Sequence, residues 1–123
     1  EPGNNYYDSL VTVGALQQIT PLSVDGKMVK PEFFNLYQNF PNPFNSLTNI
    51  KYEVFKSGNV NIVIIDSKGL HVKSIVNKYH QIGKYLMEWD GMDDQGRNMA
   101  SGIYFHKIIL GGMSKTEKMI YIK

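Results

Sequence analysis

At 123 residues the chain is long enough for one domain with a sizeable core, and 42% hydrophobic against 20% charged residues is a globular composition. A net charge of +2 asks for no nucleic-acid or membrane-surface partner, and the lack of cysteine excludes disulfides and thiolate metal sites. Eight Tyr and six Phe favour pleated sheet, and no apolar run approaches the roughly 18 residues of a membrane span.

Residues 1–35 read as the tail of a preceding domain and an extended linker. Tyr6 to Val13 has strand character, but Thr20-Pro21, Asp25-Gly26 and Lys30-Pro31 then follow as closely spaced breakers. The chain starts at Glu1 without Met or a visible signal peptide, so it reads as a fragment whose export signal lies elsewhere. From residue 36 the pattern changes. Asn39-Phe40-Pro41-Asn42-Pro43-Phe44-Asn45 fits neither helix nor central strand, because each proline fixes φ and removes a donor. Phe40 and Phe44 flank this turn and are expected to plug one end of a core.

Strands follow at short intervals. Ile50, Tyr52 and Val54 alternate with Lys51 and Glu53 in a half-buried strand. Val60 to Ile65 is almost continuously β-branched, the pattern of a central strand covered on both faces. After the turn Asp66-Ser67-Lys68-Gly69, Leu70 to Val76 makes the next strand. Tyr85, Met87 and Trp89 share one face of another, and the polar loop from Asp90 to Ser101 comes next. Ile103 to Leu110, the hairpin glycines 111 and 112, and Lys115 to Ile122 complete the chain. Six strands, with room for a seventh, at this spacing predict an all-β Ig-like antiparallel sandwich over residues 36–123.

Candidate chemistry is thin. The loop Asp90-Gly91-Met92-Asp93-Asp94 carries the oxygen ligands that calcium prefers but not the spacing of a helical calcium loop. Asx-turns that satisfy the loop's own amides explain it more simply, so no metal is assigned. His71, His80 and His106 show no metal-ligand spacing and are expected on the surface or between strands. A triad of Ser101, His106 and Asp90 lacks any activating elbow, so no catalytic residue or cofactor is assigned. Core packing explains most of Tyr52, Tyr79, Tyr85, Tyr104 and Tyr121 better than a sugar platform does. Trp89 is expected at the centre between the sheets.

The stretch from Leu36 to Asn45 resembles the opening of the type A C-terminal sorting domains of the type IX secretion system. Further matches come in the family's order: Thr48 and Ile50, Gly69, Gly83, Trp89-Asp90-Gly91, Asp93, Gly96, Gly102-Ile103-Tyr104, and Lys118 through Lys123. Trp89-Asp90-Gly91 through Tyr104 is also similar to the Ig-like domain of flagellar hook-capping proteins. The resemblance implies a non-catalytic module that directs a continuous N-terminal cargo domain from the periplasm through the outer membrane. The outer-membrane secretion machinery would be its partner, and a Gram-negative cell surface its destination. Processing and attachment to surface lipopolysaccharide would follow. It also implies a sorting motif of Asn39, Pro41, Asn42, Pro43, Phe44, Asn45, Gly69, Trp89, Asp90, Gly91, Gly102, Tyr104, Lys118 and Lys123. The final strand, as the natural sheet edge, is expected to supply the surface that is read. Ser46, Leu47 and Met92 depart from the family's usual residues, all within loops. A carbohydrate-binding or structural accessory module of a secreted hydrolase is the alternative.

Overall fold

The computed structural model describes residues 32–123; the possible strand at Tyr6 to Val13 and the linker's breakers lie outside the described residues. Seven strands run β1 (Phe34–Leu36), β2 (Thr48–Val54), β3 (Gly58–Asp66), β4 (His71–His80), β5 (Gly83–Trp89), β6 (Gly102–Leu110) and β7 (Met113–Tyr121). They form two antiparallel sheets, ordered β1-β2-β5 and β4-β3-β6-β7, which makes the all-β Ig-like sandwich. The alternation visible in the sequence sets the layers. Ile50, Tyr52 and Val54 of one sheet and Val60, Ile62, Ile64 and Ile108 of the other are fully buried. Burying one such side chain contributes about 1.5–3 kcal/mol.

Three elements differ from the sequence reading. β1 begins at Phe34, which pairs with Val54 and is buried, so the sandwich starts just ahead of the expected boundary. The signal was the Phe34/Leu36 alternation, masked by the nearby prolines. β4 continues past Val76 to His80, with Asn77 and Tyr79 paired to Asn61 and Asn59 despite their polar, exposed setting. β3 is central in its sheet but buries only one face; Asn61, Val63 and Ile65 remain half-exposed. Periodicity cannot separate a strand covered on both faces from a β-branched run with one bare face.

Candidate functional site

The motif residues build one end of the sandwich. Asn39 is buried there, and its Nδ2 donates to Thr48 Oγ1 at 2.8 Å and to the Pro41 carbonyl at 3.2 Å. Thr48 Oγ1 in turn donates to the same Pro41 carbonyl at 2.8 Å. Two side chains thus satisfy the polar groups of a turn whose prolines supply no N–H donor. Both X–Pro bonds, Phe40-Pro41 and Asn42-Pro43, are cis.

Beyond this turn the segment lies along the edge of β7. The Phe44 N–H donates to the Ile120 carbonyl at 3.0 Å, and the Ile122 N–H donates to the Phe44 carbonyl at 2.8 Å. Asn42 Oδ1 accepts the Ile120 N–H at 2.8 Å, and Gln38 Nε2 donates to the Lys118 carbonyl at 2.7 Å. This clasp occupies the C-terminal half of an edge strand. Among the described residues, no backbone bond from outside the β6–β7 ladder reaches Ser114 or Thr116 in the other half.

An aromatic cluster sits beneath the clasp. The Phe44 ring stacks on Tyr121, with centroids 4.9 Å apart, and meets Trp89 edge-on at 5.6 Å. Tyr104 meets Trp89 edge-on at 5.3 Å. These offset and edge geometries are the favoured ones for aromatic quadrupoles. Trp89 Nε1 donates to the Met92 carbonyl, and the Tyr104 hydroxyl donates to the Ala100 carbonyl at 2.7 Å, in the manner of a tyrosine corner. Trp89 is therefore buried as expected, but at the end of the sandwich that the clasp closes.

Two expectations need correcting here. Phe40 does not plug the core: it is 72% exposed, because β2 pairs with its backbone (Phe40 and Asn49 exchange N–H bonds) and turns its ring outward. The histidines are not simply surface residues. His106 is fully buried, and neither ring nitrogen is bonded among the described residues. His80 is buried too. Its Nδ1 lies 3.1 Å from the Lys78 carbonyl, which must accept, so Nε2 accepts from the Tyr52 hydroxyl at 2.7 Å. Burial pushes the Tyr52 hydroxyl up to about 12, so it stays a donor at neutral pH. Only His71 is exposed, and it meets Asp94 Oδ2 at 2.7 Å.

The acidic loop is organised around its own amides. Asp90 Oδ1 accepts from the Met92 N–H, and Asp93 Oδ1 from the N–H groups of Gln95 and Arg97. Asp93 Oδ2 also takes the Arg97 Nε–H at 2.8 Å. These bonds hold the Asp93 carboxyl below its usual range, chiefly the one from the Arg97 backbone. Asp94 ties the loop to β4 through the Ser74 N–H, and that bond likewise lowers its carboxyl. Nor do Ser101, His106 and Asp90 assemble. Ser101 Oγ accepts from the Lys123 N–H, while Asp90 stays in its turn.

Gly91 shows what the cluster demands of the backbone. Its φ is +78°, and an added Cβ would lie 2.6 Å from the Tyr121 ring. Gly91→Ala is expected to cost about 2–4 kcal/mol through strain and overpacking, read as a drop in thermal midpoint on the order of 10 °C or more. Gly69 closes the β3–β4 turn at φ +85°, where Asp66 Oδ1 accepts from Lys68 and Leu70. An added Cβ at Gly102 would meet nothing within 4 Å, so no crowding requires glycine there. Pro41, Pro43, Asn45, Lys118 and Lys123 are exposed. Tyr121 and Gln38 belong to the site although the motif set omits them; Tyr121 looked like one more strand tyrosine.

No curated protein matches this chain. The family model of the FlgD Ig-like domain matches residues 50–108. Among solved structures, dimeric latent PorU from Porphyromonas gingivalis aligns with TM-score 0.61 and 18% identity, over 82% of this chain and 11% of that one. PorZ from the same organism, described as an essential surface component of the type-IX secretion system, gives 0.49 and 19%, over 72% of this chain and 11% of its own. FlgD from Xanthomonas campestris gives 0.48 and 22%, over 73% of this chain and 62% of that one. The chain thus spans about a tenth of the length of PorU and of PorZ. From Ile50 to Ile108 the chain is similar to the FlgD Ig-like domain, the resemblance to which the Trp89-Asp90-Gly91 and Gly102-Ile103-Tyr104 motifs pointed, and its Ig-like sandwich shares its fold with PorU.

Proposed function

We propose that this chain is a non-catalytic C-terminal sorting or anchoring module of the type IX secretion system. It directs a cargo domain on its N-terminal side across the outer membrane to the surface of a Gram-negative cell. The observation that carries this reading is the clasp. Motif residues at 39–45, 89–91 and 104 converge on the last strand, where Asn42 and Phe44 hold Ile120 and Ile122. A tag that must work behind unrelated cargo needs its own core and a terminal strand held in one conformation. The clasp supplies both, leaving Lys118 and Lys123 exposed and the edge at Ser114 and Thr116 open for a partner strand. The outer-membrane machinery is the partner in this reading, with lipopolysaccharide attachment after processing.

The test is transplantation. The 123-residue chain is fused behind a fluorescent reporter carrying an inner-membrane export signal, in a bacterium with a working type IX system. Surface delivery of the reporter is expected; retention in the periplasm, with the fusion folded and intact, sinks the reading. Deleting β7 is a poorer test, because Met119 and Tyr121 belong to the core and their loss unfolds the sandwich.

A second reading, carbohydrate binding, draws on a groove of about 510 Å³ lined by Tyr37, Gln38, Phe40, Asn49, Lys51 and Leu86. Exposed aromatic rings beside amide side chains suit sugar faces. Retention on insoluble polysaccharide that Tyr37→Ala/Phe40→Ala abolishes would favour it over sorting.

A further inference from the structure

The two outer faces of the sandwich differ in charge. On the three-stranded sheet, charges of both signs surround the exposed Leu86: Asn49 sits opposite Glu88, Lys51 opposite Leu86, and Glu53 opposite Lys84. The four-stranded sheet is polar along β4, where Asn61 pairs with Asn77 and Val63 with Ser74, but carries an apolar patch across β3, β6 and β7. Ile65 pairs with Phe105, Ile103 pairs with Ile120, and Val63 pairs with Lys107. Ile103 and Ile122 are 43% and 50% exposed. Strand parity puts two charged side chains on these outer rows of β3, β6 and β7, Lys107 and Lys118, and no carboxylate; Glu117 falls on the inward row opposite His106. An apolar patch interspersed with one sign of charge is the pattern of a docking surface.

We propose that this face docks on a protein surface that sets carboxylates among apolar side chains. Resting on the sorting reading above, that surface belongs to the export apparatus. Charge decides between the occupants. A second copy related by a two-fold axis would bring Lys107 and Lys118 against the same lysines with no carboxylate to answer them. An anionic lipid surface is normally held by about four to eight clustered basic residues, and these rows carry two lysines. A complementary acidic and apolar protein surface suits both the charge and the apolar side chains between the lysines.

The test again uses the whole chain behind the exported reporter. Lys107→Glu/Lys118→Glu reverses the sign of the face without touching the core. Glu53→Lys/Glu88→Lys makes a charge change of equal size on the opposite face. The first pair is expected to lower surface delivery by about tenfold or more, with the thermal midpoint of the purified protein unchanged. The second pair is expected to export like the unaltered chain. Normal delivery of Lys107→Glu/Lys118→Glu overturns the inference while leaving the sorting reading intact. An equal loss in both double variants overturns it as well. So does a dimer in sedimentation, or flotation with phosphatidylglycerol vesicles, that the first pair abolishes. Failure of the unaltered fusion to reach the surface brings down both readings together.

Discussion

Phe44→Ala is expected to cost about 3–5 kcal/mol in urea denaturation, whereas Phe40→Ala, four residues earlier, shifts stability by less than about 0.5 kcal/mol. The two phenylalanines flank the same proline turn and look equivalent in sequence. Their environments are opposite: Phe44 is 3% exposed and Phe40 is 72% exposed. Removing the Phe44 ring leaves a cavity between Tyr121 and Trp89, the two rings it touches. It also frees the clasp, since the bonds to Ile120 and Ile122 hold only while Phe44 anchors the segment. A domain of this size has about 5–15 kcal/mol of total stability, so Phe44→Ala takes a large share of it. Equal effects at the two positions would show that Phe44 does not anchor the end of the sandwich.

That contrast also separates two kinds of motif residue. Asn39, Phe44, Trp89, Gly91 and Tyr104 are buried and fix the architecture. Pro41, Pro43, Asn45, Lys118 and Lys123 are exposed, and side chains outside the core are free to be read by a partner. In the proposed sorting reading, a partner would rely on the second group and on the open edge and faces around it. Variants of the first group are expected to unfold the module, a loss that denaturation midpoints reveal directly.

The strands and their inward faces were legible because a period of two survives even in single-strand detail, as Ile50, Tyr52 and Val54 show. β1 was not, since three residues beside a proline-rich stretch give periodicity too little length. The site was legible as a set of motifs but not as a place. Asn42 and Ile120 are 78 residues apart, and nothing local in either segment says that they meet. The fate of the two phenylalanines was hidden for the same reason: which ring turns inward depends on where β7 runs. His106 was illegible for a different one. A lone histidine in an alternating strand looks polar, so parity placing it on the core face ran against its chemistry.

Acid titration is expected to expose His106 as the fold's weak point: stability falls by about 3 kcal/mol between pH 6.5 and pH 4, and His106→Leu abolishes that fall. The ring is fully buried with both nitrogens unbonded, and burial lowers its pKa from an ordinary 6.5 to about 4. A base whose folded pKa is depressed binds its proton more readily in the unfolded chain. Stability is therefore fully present above pH 6.5, declines as the unfolded chain takes up the proton, and levels off below about pH 4. Asp66, Asp93 and Asp94 do not contribute in this window. Backbone hydrogen bonds hold them below the ordinary 3.8, so their share is lost only at lower pH. Glu117 stands opposite His106 on β7, and Glu117→Gln serves as the control. Persistence of the slope in His106→Leu, or its disappearance in Glu117→Gln alone, would move the effect away from His106. At neutral pH His106→Leu is also expected to stabilise the domain by about 1–3 kcal/mol, because it removes two buried polar atoms that have no partner. Measured denaturant midpoints at pH 7.5 and pH 4.5 read both effects in one pair of proteins.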